Sequence, residues 1–151
     1  MGFDSHTHAP DRPLRLGGVA FEGEAGLAGH SDGDVLCHAL ADALLGAIGL
    51  EDIGRHFPDD VPETEGMAGL DLLARTVLLL REAGFRPVSC DCTVVAERPV
   101  LAPRRDEIRE SLAGVLGIEP GRVSVKGKRP EGVGLSADGA ACFALAVVDR
   151  S

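Results

Sequence analysis

The chain has 151 residues, 44% of them hydrophobic but only 3% aromatic, and carries a formal net charge of −9. Its length and apolar content fit one domain spanning 1–151 with a core built from Ala, Val, Leu and Ile. The acidic balance and the lack of Trp and Tyr speak against a nucleic-acid binder, which would want a basic face and stacking platforms. Runs such as ALAVV fall far short of the roughly 20 apolar residues of a membrane span, so no membrane partner is expected either. The opening MGFDSHTHAP has no basic segment followed by an apolar one, and a cytoplasmic protein is the expectation. Cys37, Cys90, Cys92 and Cys142 form no CxxC pair and read as reduced core thiols.

In chain order, 13–21 reads as a short strand with a Gly-Gly bend, and 22–29 as a loop. Residues 33–48 read as an Ala/Leu-rich helix with Ser31 or Asp32 as N-cap. Residues 50–66 form a long polar loop with two prolines, of a length that is often functional. A strong second helix covers 69–83 and is closed by Gly84. Residues 87–97 read as a strand and 104–116 as a helix with Ile108, Leu112 and Val115 at core spacing. A strand over 122–127, a loop over 128–139 and a buried strand over 140–148 complete the chain.

The strand–helix–strand unit over 87–127 implies a right-handed parallel crossover. The expected fold is an α/β two-layer sandwich: a mixed, mainly parallel four-stranded sheet with helices on one face. The uncovered face would be closed by subunit association.

Two short pieces carry candidate chemistry. In FDSHTH, Asp4 and His6 point the same way along an extended segment, and His8 could join them if Pro10 and Pro13 did not interrupt the strand. With His38 they offer one carboxylate and two imidazoles, a plausible zinc set that leaves one position open. In HSDGD, residues 30–34, the polar side chains read first as a helix cap and, second, with the free N–H groups of the helix start, as a phosphate site. An acidic protein that binds a polyanion needs local cations, and a divalent metal beside a helix N-terminus supplies them.

Read together, GFDSH (2–6), GHSDGDVLCHALADALLGAIGLEDIGRHFPD (29–59), AERPVLAP (96–103) and VKGKRPEGVG (125–134) resemble the 2-C-methyl-D-erythritol 2,4-cyclodiphosphate synthases over almost the whole chain. The resemblance implies a homotrimer with active sites between subunits. It implies a CDP-linked methylerythritol phosphate as substrate, whose 2-phosphate attacks the β-phosphate and expels CMP in the non-mevalonate isoprenoid route. It also implies a zinc ion and a magnesium or manganese ion with the diphosphate.

By matching position, Asp4, His6 and His38 would hold zinc, and His30 with Ser31 would meet the transferring phosphoryl group. Asp52, Ile53, Gly54, Phe57, Pro58 and Asp59 would line the polyol. Ala96, Pro99, Val100, Leu101 and Ala102 would hold the cytosine, and Glu131 would ligate the second metal.

The chain departs from that pattern in several places. Lys128, Arg129 and Pro130 stand where the family usually has threonines, and Gly132 stands where it has lysine. The loop GLSADGAAC is two residues shorter than usual, with Leu135 and Asp138 near the usual aromatic and arginine places. Val100 replaces a usual lysine, and EGMAG (65–69) replaces a Lys-Gly-Ala-Asp-Ser pattern. Lys128 and Arg129 read either as replacement phosphate donors or as a solvated basic turn. His8 and His56 have no assigned role and read as surface residues. The departures keep two other readings open: the same chemistry on another CDP-linked substrate in specialised metabolism, or a catalytically weak trimer that binds a nucleotide or isoprenoid.

Overall fold

The computed structural model describes residues 1–134 and 138–151, so Leu135 lies outside the described residues. The chain opens with a hairpin. Strand β1, Gly2–Leu16, turns at Gly17 and Gly18, both with positive φ, into β2, Val19–Leu27. Left-handed conformation at two successive turn residues is what a tight hairpin needs and what glycine supplies without strain. Pro10 and Pro13 do not break β1. The ladder shifts register between Ala9 and Pro13, so Pro10, whose missing N–H would weaken a paired strand, stands in a bulge. The sequence reading of 22–29 as a loop is corrected by β2, an edge strand whose glycines and glutamates hide its pairing with β1.

Helix α1, Val35–Ala47, follows, then the short α2, Ile53–His56, inside the segment read as a plain loop. Helix α3, Gly69–Glu82, leads to strand β3, Phe85–Ala96. Helix α4, Arg105–Leu116, strand β4, Val123–Lys128, and strand β5, Gly139–Arg150, complete the fold. The sheet order is β2-β1-β5-β3-β4. It is five-stranded and mixed, not four-stranded and mainly parallel: β3 and β4 run parallel through the α4 crossover, whereas β1–β2, β1–β5 and β3–β5 are antiparallel. The N-terminal hairpin explains the difference, since it brings two strands that need no crossover.

The helices pack on one face of the sheet. Helix α1 lies across β1 and β5, with Ala39, Ala41 and Ala43 fully buried. A Cβ at Gly2 would collide with the Ala39 carbonyl, so glycine there lets the helix sit directly on the strand that carries Asp4 and His6. All four cysteines are free and buried. On the opposite face Phe3 pairs with Phe143, ring centroids 4.8 Å apart, and Leu145 and Val147 are 56% and 55% exposed. These side chains leave apolar surface open to water on this face of the sheet.

Candidate functional site

The site is built where β1 passes beneath the start of α1. Strand alternation turns Asp4 and His6 toward the helix, and His38, in the first turns of α1, points back at them. Asp4 Oδ2 lies 2.9 Å from His6 Nε2 and 3.0 Å from His38 Nδ1, and the two nitrogens are 3.4 Å apart. Ligand atoms about 2.0–2.1 Å from a tetrahedral zinc sit about 3.3 Å from one another, so three donors at these separations fit one face of such a tetrahedron. The three residues form a possible metal-binding group. The far nitrogen of His38, Nε2, is 3.0 Å from Ser31 Oγ, the kind of outer contact that fixes a ligand imidazole.

The electrostatics favour a cation. Burial would raise the Asp4 carboxyl, but hydrogen bonds and charge from His38 and His6 hold it well below the usual carboxylate range. Burial opposes an imidazolium at His38, yet Asp4, Asp34 and Asp32 push its pKa up from the ordinary histidine value. The first shift keeps Asp4 ionised, and the second expresses the negative charge that the neighbouring carboxylates place around His38.

The helix cap is Asp34, not Ser31 or Asp32. Its side chain accepts from Cys37 N at 3.1 Å and also from Gly17 N and Gly18 N at 2.9 and 2.7 Å, so one buried carboxylate ties the hairpin turn to the start of α1. Asp32 serves a different helix. It accepts from Asp34 N at 3.1 Å and from Gly69 N at 2.9 Å, capping α3 from a distance where Ala68 cannot.

The metal group opens into a cavity of about 210 Å³. His30, Ser31, Ile53, Gly54, Phe57 and Asp59 line it, as the sequence suggested, and Thr64, Met67 and Leu72 join them from the following segment. No local signal marked those last three. Asp52 and Pro58 do not line this cavity. Asp52 caps α2 by accepting from Arg55 N, and the Pro58 carbonyl accepts from Thr64 Oγ1 at 2.7 Å.

A second cavity, of about 120 Å³, holds the expected nucleotide-side residues other than Glu131. Ala96, Pro99, Val100, Leu101 and Ala102 line it, faced by Lys128 and Arg129, with Arg105 as an unexpected third cation. The two cavities share no residue. Glu131 lines neither. It sits at positive φ, followed by Gly132 at positive φ, in a turn closed by Val133 N donating to the Pro130 carbonyl. Gly132 suits that left-handed position better than any side chain would. His8 and His56 are half-buried rather than exposed: the Nδ1 of His8 is buried, and His56 Nε2 lies 2.8 Å from the Leu50 carbonyl.

The YgbB family model matches residues 1–149. The chain belongs to the YgbB family. The "2-C-methyl-D-erythritol 2,4-cyclodiphosphate synthase" of Symbiobacterium thermophilum is 52% identical over 98% of this chain and 96% of its own length. The Geobacillus kaustophilus protein of the same name is 48% identical over 98% and 94%. A solved structure described as this synthase in a CDP-bound form superposes with a TM-score of 0.90 at 34% identity, covering 98% of this chain and 97% of that one. Among the described residues no helix of this YgbB member is long and apolar enough to cross a membrane.

Proposed function

We propose that residues 1–151 act as one cyclodiphosphate synthase domain whose active site is completed across a homotrimer interface. The reaction is that of a CMP-forming phosphorus–oxygen lyase of isoprenoid biosynthesis, and its site is cytoplasmic. An oxygen of the substrate's 2-phosphate forms a bond to the β-phosphorus. The bond from that phosphorus to the bridging oxygen breaks, and CMP leaves with the electron pair. Because nucleophile and leaving group belong to one molecule, no protein nucleophile is needed, and the protein's part is alignment and charge neutralisation.

The observation that carries this reading is the convergence of Asp4, His6 and His38 beside the α1 terminus and at the wall of a cavity. A zinc ion held there would supply Lewis-acid stabilisation of the diphosphate. His30 and Ser31 would hold the transferring phosphoryl group. Asp52, Ile53, Gly54, Phe57, Pro58 and Asp59 would shape the polyol pocket. Ala96 and the turn from Pro99 to Ala102 would seat the cytosine. Lys128 and Arg129 would neutralise phosphate charge where the family usually has threonines, and Glu131 would hold the magnesium or manganese ion.

The division into two cavities with no shared residue supports an interface site, as does the apolar open face of the sheet. Each subunit would contribute its metal half to one site and its nucleotide half to the next. The test is incubation with CDP-2-C-methyl-D-erythritol 2-phosphate, zinc and magnesium. CMP and the cyclic diphosphate should appear together. CDP binding without CMP release would instead favour another CDP-linked substrate, a reading the replaced threonines keep alive.

A further inference from the structure

The His30 imidazole is not fixed by its own hydrogen bonds: among the described residues its buried Nε2 has no partner. What places it is its backbone, and that backbone is gripped from outside the loop. Arg12 Nη1 donates to the Gly29 carbonyl at 2.6 Å, and Arg12 Nη2 donates to the Ser31 carbonyl. Between them, Gly66 N donates to the His30 carbonyl at 3.0 Å. Three successive carbonyls are thus held, the outer two by one guanidinium. Arg12 stands in the β1 bulge, which turns a residue out of the ladder, and a Cβ at Gly26 would strike its carbonyl. Only a planar fork with two parallel donors spans carbonyls on both sides of one residue; a lysine ammonium is a single point.

We propose that Arg12 is a positioning residue for phosphoryl transfer, its guanidinium clamping the carbonyls that flank His30 so that the imidazole stays aimed at the substrate. This rests on the reading of His30 as the phosphoryl-side donor. Arg12 touches no metal ligand and does not line the second cavity, but Ser31, whose carbonyl it holds, contacts His38 Nε2, so its effect is read on turnover at saturating zinc.

The test uses zinc-loaded full-length Arg12→Lys and Arg12→Ala proteins. A displacement of about 1 Å at a reacting group costs about 100-fold, so kcat should fall by about 10- to 100-fold, with KM changing by less than about 3-fold and zinc still one per chain. Millimolar guanidinium ion should restore part of the rate to Arg12→Ala and none to His30→Ala. A kcat within about 2-fold of wild type, or a loss that guanidinium leaves untouched, would overturn the inference. If the wild-type protein releases no CMP, the reading of His30 fails separately. The clamp is then read from the His30 ring resonances by NMR: Arg12→Ala should broaden or split them, and an unchanged spectrum would refute it.

Discussion

Replacing Asp34 with Asn probes the link between the hairpin and the helix that carries His38. The carboxylate is fully buried and takes three backbone bonds, two on Oδ1 from Gly17 N and Cys37 N and one on Oδ2 from Gly18 N. An amide keeps one acceptor. With its oxygen facing Gly17 and Cys37, its NH2 group meets the Gly18 N–H, donor against donor. A buried donor left unsatisfied costs about 1–3 kcal/mol, and the facing NH2 is a second such group. Relief from burying a charge offsets part of this, since burial already pushes the Asp34 carboxyl up from its ordinary value. The net expectation is a loss of about 2–4 kcal/mol, a large share of the 5–15 kcal/mol typical of a domain. Asp34→Ala, which removes both acceptor oxygens and with them all three bonds, should lose at least as much. Urea unfolding followed by far-UV circular dichroism, at one fixed protein concentration, should show a lower midpoint at unchanged slope. A change below about 0.5 kcal/mol in both variants would refute the assignment of Asp34 as the tie between β1–β2 and α1.

Two further outcomes follow from the site and the sheet. In the metal-free protein the raised pKa of His38 means that protons begin to compete with the cation above the ordinary histidine range, so zinc affinity should fall as the pH is lowered through His38 protonation and level off at more alkaline pH. A chelator-buffered titration that is flat between about pH 8 and pH 6 would contradict this. If the proposed trimer closes through the open sheet face, Leu145→Asp should leave the fold intact and reduce the wild-type scattering mass of three chains to one; a retained assembly would mean that this face is not the interface.

Helices α3 and α4 are legible within two residues because apolar positions recur with helical spacing, as Ile108 and Leu112 do in α4, whereas α1, buried on nearly all sides, is legible from its polar start and its Ala/Leu content. The metal group is legible because β1 and α1 are regular: alternation along the strand sets Asp4 beside His6, and the helix presents His38 to them. Strand β2 is hidden because an edge strand pairs on one side and tolerates Glu22, Gly23 and Glu24. The sheet's antiparallel majority is hidden because strand order is decided by partners far apart in sequence, as in the pairing of Asp4 with Cys142. The sequence offers Ser31 or Asp32 as the cap and misses Asp34, which is favoured by its bonds to Gly17 N and Gly18 N, distant in sequence, in addition to Cys37 N. Arg12 gives no signal, since its partners are main-chain carbonyls.

The most direct test of the metal centre is anomalous diffraction at the zinc edge from crystals grown with zinc. The account predicts one strong peak about 2.0–2.2 Å from Asp4 Oδ2, His6 Nε2 and His38 Nδ1 together. A map with no peak among those three atoms, or with the ion bound elsewhere, would contradict it.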